Sequence, residues 1–173
     1  LTKNSNTEVR VLDVQNAAGG RIISHRVRVE SGEIVAKTSV LETKVDKDSR
    51  RRAKANHTAT HLLQSALKQV MGDDVSQAGS LVSFDRLRFD FNSSRAPKPN
   101  ELEEIETLVN QWIFDSTNLE VAEMPIADAK AKGATMMFGE KYGDVVRVVD
   151  VPNVSMELCG GTHVSNTSEI CGF

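Results

Sequence analysis

The sequence predicts an α+β protein, with a small antiparallel sheet or barrel at the N-terminal end and helices packed on an antiparallel sheet in the remainder. Three patterns point there. Before Val45, short apolar stretches alternate with close turns; residues 56–72 and 100–113 place apolar side chains at helical spacing; residues 84–91 and 145–151 read as strands.

Taken in order, residues 8–14 and 21–29 have strand character around a turn at Ala18-Gly19-Gly20. Gly32 turns the chain again, and Ile34-Val35 with 38–41 add short apolar pieces. His25 reads as an ordinary strand residue. Lys47, Arg50, Arg51, Arg52 and Lys54 then form a basic cluster, either a solvated turn or a surface for RNA phosphate.

Residues 56–72 follow as one amphipathic helix, with Asn56 as N-cap and Gly72 as its stop. At about 100° per residue, Leu62, Leu63, Ala66, Leu67 and Val70 share one side. His57 and His61 stack a turn apart on the other, with Gln64 and Lys68.

Beyond Asp73-Asp74, Gln77 reads as a turn residue near Gly79, whose lack of a side chain permits close backbone approach. Residues 84–91 alternate strictly, Leu87, Phe89 and Phe91 on one face and Arg86, Arg88 and Asp90 on the other, so the aromatic residues belong to the core. Pro97 and Pro99 mark a loop before a helix capped by Asn100 with Glu103 in capping-box spacing. Its core face is Leu102, Ile105, Leu108, Val109, Trp112 and Ile113. A strand over 119–124, a short helix over 126–131 ending at Gly133, a glycine-flanked segment 136–144, and strands over 145–151 and 154–158 complete the chain.

A chain of 173 residues with 39% hydrophobic and 26% charged residues describes a soluble globular protein of one domain, or one with a small partner. Net charge −3 argues against broad polyanion binding but leaves room for a local basic face. The start at Leu1-Thr2-Lys3-Asn4 shows no signal pattern, and the missing Met suggests a fragment or a processed product. The expected compartment is the cytoplasm, with an organelle left open.

The chemistry concentrates in two pairs. His57 and His61 are four residues apart, and so are Cys159 and His163 in Cys159-Gly160-Gly161-Thr162-His163, at the end of the last strand. Together they make a His3Cys set, which suits one zinc ion. A disulfide between Cys159 and Cys171 is the alternative; Cys159 is more useful as a thiolate ligand, leaving Cys171 a free thiol. Zinc with an exchangeable water would polarise an ester carbonyl and make a hydrolase. Four protein ligands equally suit a closed, structural ion. Thr60 could bond a small polar substrate or a helix carbonyl. A thiolate bound to zinc is a poor nucleophile, which disfavours covalent catalysis.

The segments 56–63, 85–91, 138–144 and 157–163 resemble, in order, the editing domain of alanyl-tRNA synthetase. The resemblance implies a β-barrel over 1–52 and an α+β editing domain over 53–173, a fold shared with threonyl-tRNA synthetases and freestanding AlaX proteins. It implies hydrolysis of serine or glycine from mischarged alanine tRNA, with the remainder of the synthetase as a further partner. It further implies His57, His61, Cys159 and His163 as zinc ligands, and Thr60 and Gln77 as pocket residues for discrimination and deacylation. Arg86 and Arg88 match a family motif and join Arg51 and Arg52 as candidate RNA contacts. Two alternatives stand beside this: a freestanding AlaX protein acting in trans, and an RNA-binding module whose zinc is structural.

Overall fold

The computed structural model describes residues 7–17, 22–33, 42–136 and 142–173. The chain divides into two compact units, Leu1–Lys44 and Val45–Phe173. In the first, β1 (Glu8–Ala17) pairs antiparallel with β2 (Ile22–Ser31), with register shifts between Glu8 and Val9 and between Val11 and Asp13. The expected turn at 18–20 and the short pieces at 34–35 and 38–41 lie outside the described residues, as does 137–141 of the glycine-flanked segment.

The second unit is built on α1 (Lys47–Met71), which begins ten residues before the start expected at His57 because Asp46, not Asn56, caps it. The Asp46 carboxylate accepts from the Ser49 N–H at 2.7 Å, and the basic run forms the exposed first turns. The junction expected at 52/53 therefore falls inside a continuous helix. Asn56 instead donates through Nδ2 to the Ser83 carbonyl at 2.8 Å, tying α1 to the turn at 83–86. Gly72 ends the helix at φ +110, a backbone region that favours glycine.

Gln77 lies in a strand rather than a turn. β3 (Ser76–Val82) pairs antiparallel with β4 (Leu87–Asn92), with a register shift between Gln77 and Gly79. Phe84 stays outside that ladder and is exposed. α2 (Pro99–Phe114) starts before the expected Asn100: Pro99 has the fixed φ a first helical residue needs, and the Lys98 N–H donates to the Glu101 carboxylate at 2.7 Å. Arg95 clamps the same carboxylate through two bonds of 2.6 and 2.7 Å. Leu102, expected on the core face, is exposed.

α1 and α2 bury Leu62, Ala66, Leu67, Ile105, Val109 and Ile113 against Val75 and Val151, with Leu63, Val70, Phe89, Phe91 and Trp112 packed around them. Leu62 is fully buried, which contributes about 1.5–3 kcal/mol. β5 (Glu120–Pro125), α3 (Ile126–Ala131), β6 (Val145–Val151) and β7 (Ser155–Leu158) close the unit, β5-β6-β7 being an antiparallel sheet. Ala129 of α3 packs on Val146, Val148 and Leu158. The class is α+β, with three antiparallel sheets among the described residues.

Candidate metal centre

β7 runs antiparallel to β6 and delivers the chain at Cys159 against the middle of α1. Arg147 on β6 fixes the segment that follows: its guanidinium donates to the carbonyls of Cys159 at 2.6 Å and Gly161 at 2.8 Å, while its own carbonyl accepts from the Cys159 N–H at 3.0 Å. His57, His61, Cys159 and His163 are thereby gathered so that their ligand atoms all lie within 4.8 Å of one another. Cys159 Sγ is 3.5 Å from His57 Nε2 and 3.3 Å from His163 Nε2. The rings of His57 and His163 are 4.1 Å apart, and those of His61 and His163 4.6 Å.

The histidine face of α1 is not a solvated polar face. Thr58, Thr60, His61 and Gln64 are buried there. His57 and Cys159 are only half-buried, so the cluster opens on one side.

Burial holds the pKa of each clustered histidine below its ordinary value. His61 is lowered to about 3, first by burial and then by the neighbouring His57. His163 is lowered to about 2 by burial, then by the other two imidazoles and by Arg147 and Lys54. His57 is lowered less completely, because a hydrogen bond with the Thr162 backbone opposes its burial. All three rings are neutral at pH 7, with lone pairs to offer.

These residues fit a zinc ion. One thiol and three neutral imidazoles are the right donors, and His61 Nδ1 is buried with no hydrogen-bond partner among the described residues. Cys171 is exposed at the far end and forms no disulfide with Cys159.

Three further residues shape this centre without having been foreseen. Glu157 is buried, its carboxylate 3.7 Å from His61 Nε2, and burial raises its pKa to about 7 against the opposing Lys68 charge. Its sequence signal is a carboxylate two residues before a candidate ligand, on a strand with apolar neighbours. Thr58, fully buried, places Oγ1 at 3.1 Å from the Lys54 carbonyl, 3.1 Å from His163 Nδ1 and 3.2 Å from the Val164 N–H. Arg147 had only the look of a solvent-facing strand residue.

The other candidates lie outside the four-residue cluster. Thr60 is buried beside His61, and its hydroxyl donates to the Asn56 carbonyl at 2.8 Å. Gln77 is half-buried on β3 and makes no side-chain hydrogen bond among the described residues. Arg51, Arg52 and Arg86 are exposed; Arg88, also exposed, is paired with Asp90 at 3.1 Å.

Residues 146–173, which include Cys159 and His163, match the family described as the threonyl and alanyl tRNA synthetase second additional domain. Across 95% of its length the chain is 69% identical to a protein named alanine--tRNA ligase, chloroplastic/mitochondrial, from Ostreococcus lucimarinus, and spans 18% of that protein. It is 61% identical over 95% of its length to the alanine--tRNA ligase of Synechocystis, again 18% of the relative, and 60% identical to a chloroplastic/mitochondrial alanine--tRNA ligase of Arabidopsis thaliana, 17% of the relative. None of its helices is long and apolar enough to cross a membrane, among the described residues. Over 95% of its length the chain is thus similar to one segment of alanine--tRNA ligases, spanning less than a fifth of those relatives, and its residues 146–173 match the synthetase second additional domain.

Proposed function

We propose that this chain is the editing domain of an alanyl-tRNA synthetase and hydrolyses the ester joining serine or glycine to alanine tRNA. The observation that carries the reading is the half-open His3Cys cluster: His57 and Cys159 are accessible on one side while His61 and His163 are buried. A site that is reachable suits a substrate, and the family relationship supplies the substrate class.

His57, His61, Cys159 and His163 would hold zinc, which when bound supplies Lewis acidity and a water acidified toward neutrality. Thr60 and Gln77 supply selection. The Thr60 hydroxyl proton is committed to Asn56, so the oxygen can only accept, which suits the hydroxyl proton of a seryl group and gives alanine nothing. Gln77, with its amide uncommitted, can donate and accept. A size-selecting activation pocket discriminates poorly against an added hydroxyl or a smaller amino acid, so a second hydrolytic sieve is the physical remedy.

Arg51, Arg52 and Arg86 are proposed as RNA-phosphate contacts; Arg88 reaches phosphate only by sharing its carboxylate partner. The compartment we infer is an organelle or a cyanobacterial-type cell rather than the eukaryotic cytoplasm, on the strength of the relatives' names. A second reading, an RNA-binding module with a structural zinc, draws on the set's four protein ligands.

The test is deacylation of Ser-tRNA(Ala) against Ala-tRNA(Ala), with wild type beside a folded Cys159→Ala, His163→Ala variant. Cleavage of the seryl ester alone, lost in the variant, is expected. No cleavage by a wild type that binds tRNA would favour the binding module.

A further inference from the structure

A hydroxyl has one proton to give and two lone pairs to receive, yet Thr58 Oγ1 has three partners. The Lys54 carbonyl can only accept and the Val164 N–H can only donate. The third, His163 Nδ1 at 3.1 Å, is able to do either. All three bonds are made together in one arrangement: the Thr58 proton goes to Lys54, and the oxygen receives from both Val164 and His163 Nδ1. The reverse arrangement, with Thr58 donating to His163, gives up the Lys54 bond. It also puts a proton on His163 Nε2, the nitrogen 3.3 Å from Cys159 Sγ.

We propose that Thr58 is a positioning residue that fixes His163 in its Nδ1–H tautomer, leaving Nε2 bare on the side of Cys159 where a metal ion would sit. The proposal rests on the metal reading of the four-residue cluster. It also explains why a threonine is fully buried where α1 meets the segment after β7: the same hydroxyl receives the Val164 N–H, locking the chain one residue past His163. Partners of this kind orient imidazole ligands and raise their basicity.

The experiment measures zinc affinity by chelator competition for wild type, Thr58→Val and Thr58→Ser, beside proton–nitrogen NMR of the His163 ring in the zinc-free wild type. Thr58→Val should bind about 10–100-fold more weakly, Thr58→Ser should bind close to wild type, and the zinc-free ring should carry its proton on Nδ1. Equal affinity of Thr58→Val and wild type would overturn the proposal, and so would a proton on Nε2. A wild type that takes up no zinc would overturn the metal reading and this inference with it. Should Thr58→Val fail to fold, the tautomer in the wild type decides.

Discussion

Gly161 passes so close to His57 that a Cβ on it would lie 2.6 Å from the imidazole Nδ1. Contacts that short do not occur, so an alanine there must push either the ring or the Arg147-held backbone aside. The expected outcome for Gly161→Ala is a folded chain whose zinc affinity falls by at least about tenfold, the lower end of what displaced outer partners cost. Chelator competition reads it directly.

Arg147 stitches the ligand segment to β6 through the Cys159 and Gly161 carbonyls. Hydrogen bonds to charged donors contribute about 1.5–3 kcal/mol each, less for a group that is only half-buried. Arg147→Met should lower the unfolding free energy of the metal-free chain by about 2 kcal/mol. Urea unfolding measures this, with β6 apolar packing retained by the methionine stem.

The buried titratable groups set an acid dependence. His57, His61 and His163 all fold with pKa values below 6.5, so their contribution is complete above 6.5 and is lost as pH falls toward about 3 for His61 and about 2 for His163. Glu157 has the opposite sign: raised from 4.5 to about 7, its contribution is complete below 4.5 and lost as pH rises through 7. Three imidazoles outweigh one carboxylate between pH 4.5 and 6.5. The urea midpoint of the metal-free chain should therefore rise across that interval, and zinc should steepen the rise because its ligands must be deprotonated. A midpoint that falls from 4.5 to 6.5 would contradict these burial effects.

Thr60 is almost fully buried, so a larger apolar side chain has no room to turn outward. Thr60→Leu should slow seryl-ester cleavage by about 10-fold or more, the scale of a misfitted methylene in a pocket. Unchanged rates would remove Thr60 from the substrate pocket.

The His57, His61, Cys159 and His163 cluster was legible as a candidate because metal chemistry needs particular side chains, and two pairs at four-residue spacing leave a strong mark in sequence. Helix α3 and strand β6 were legible at their observed bounds, since apolar spacing and flanking turns agree there. The start of α1 was hidden because its first turns carry Lys47, Arg50, Arg51 and Arg52, an all-polar run that helical periodicity cannot register. β3 was hidden by Gly79 and by polar residues, which are poor strand formers; pairing with β4 overrides that preference. Thr58 and Arg147 could not be found by spacing at all. Thr58 meets His163 across 105 positions of chain, and Arg147 acts through backbone carbonyls that no sequence pattern records.

The most direct test is a zinc titration of the metal-stripped chain, following bound metal and Ser-tRNA(Ala) hydrolysis in the same samples. A folded, inactive apoprotein is expected, whose hydrolysis rises in proportion to bound zinc and saturates at one ion per chain. Full hydrolysis by a chain stripped of metal would contradict this expectation.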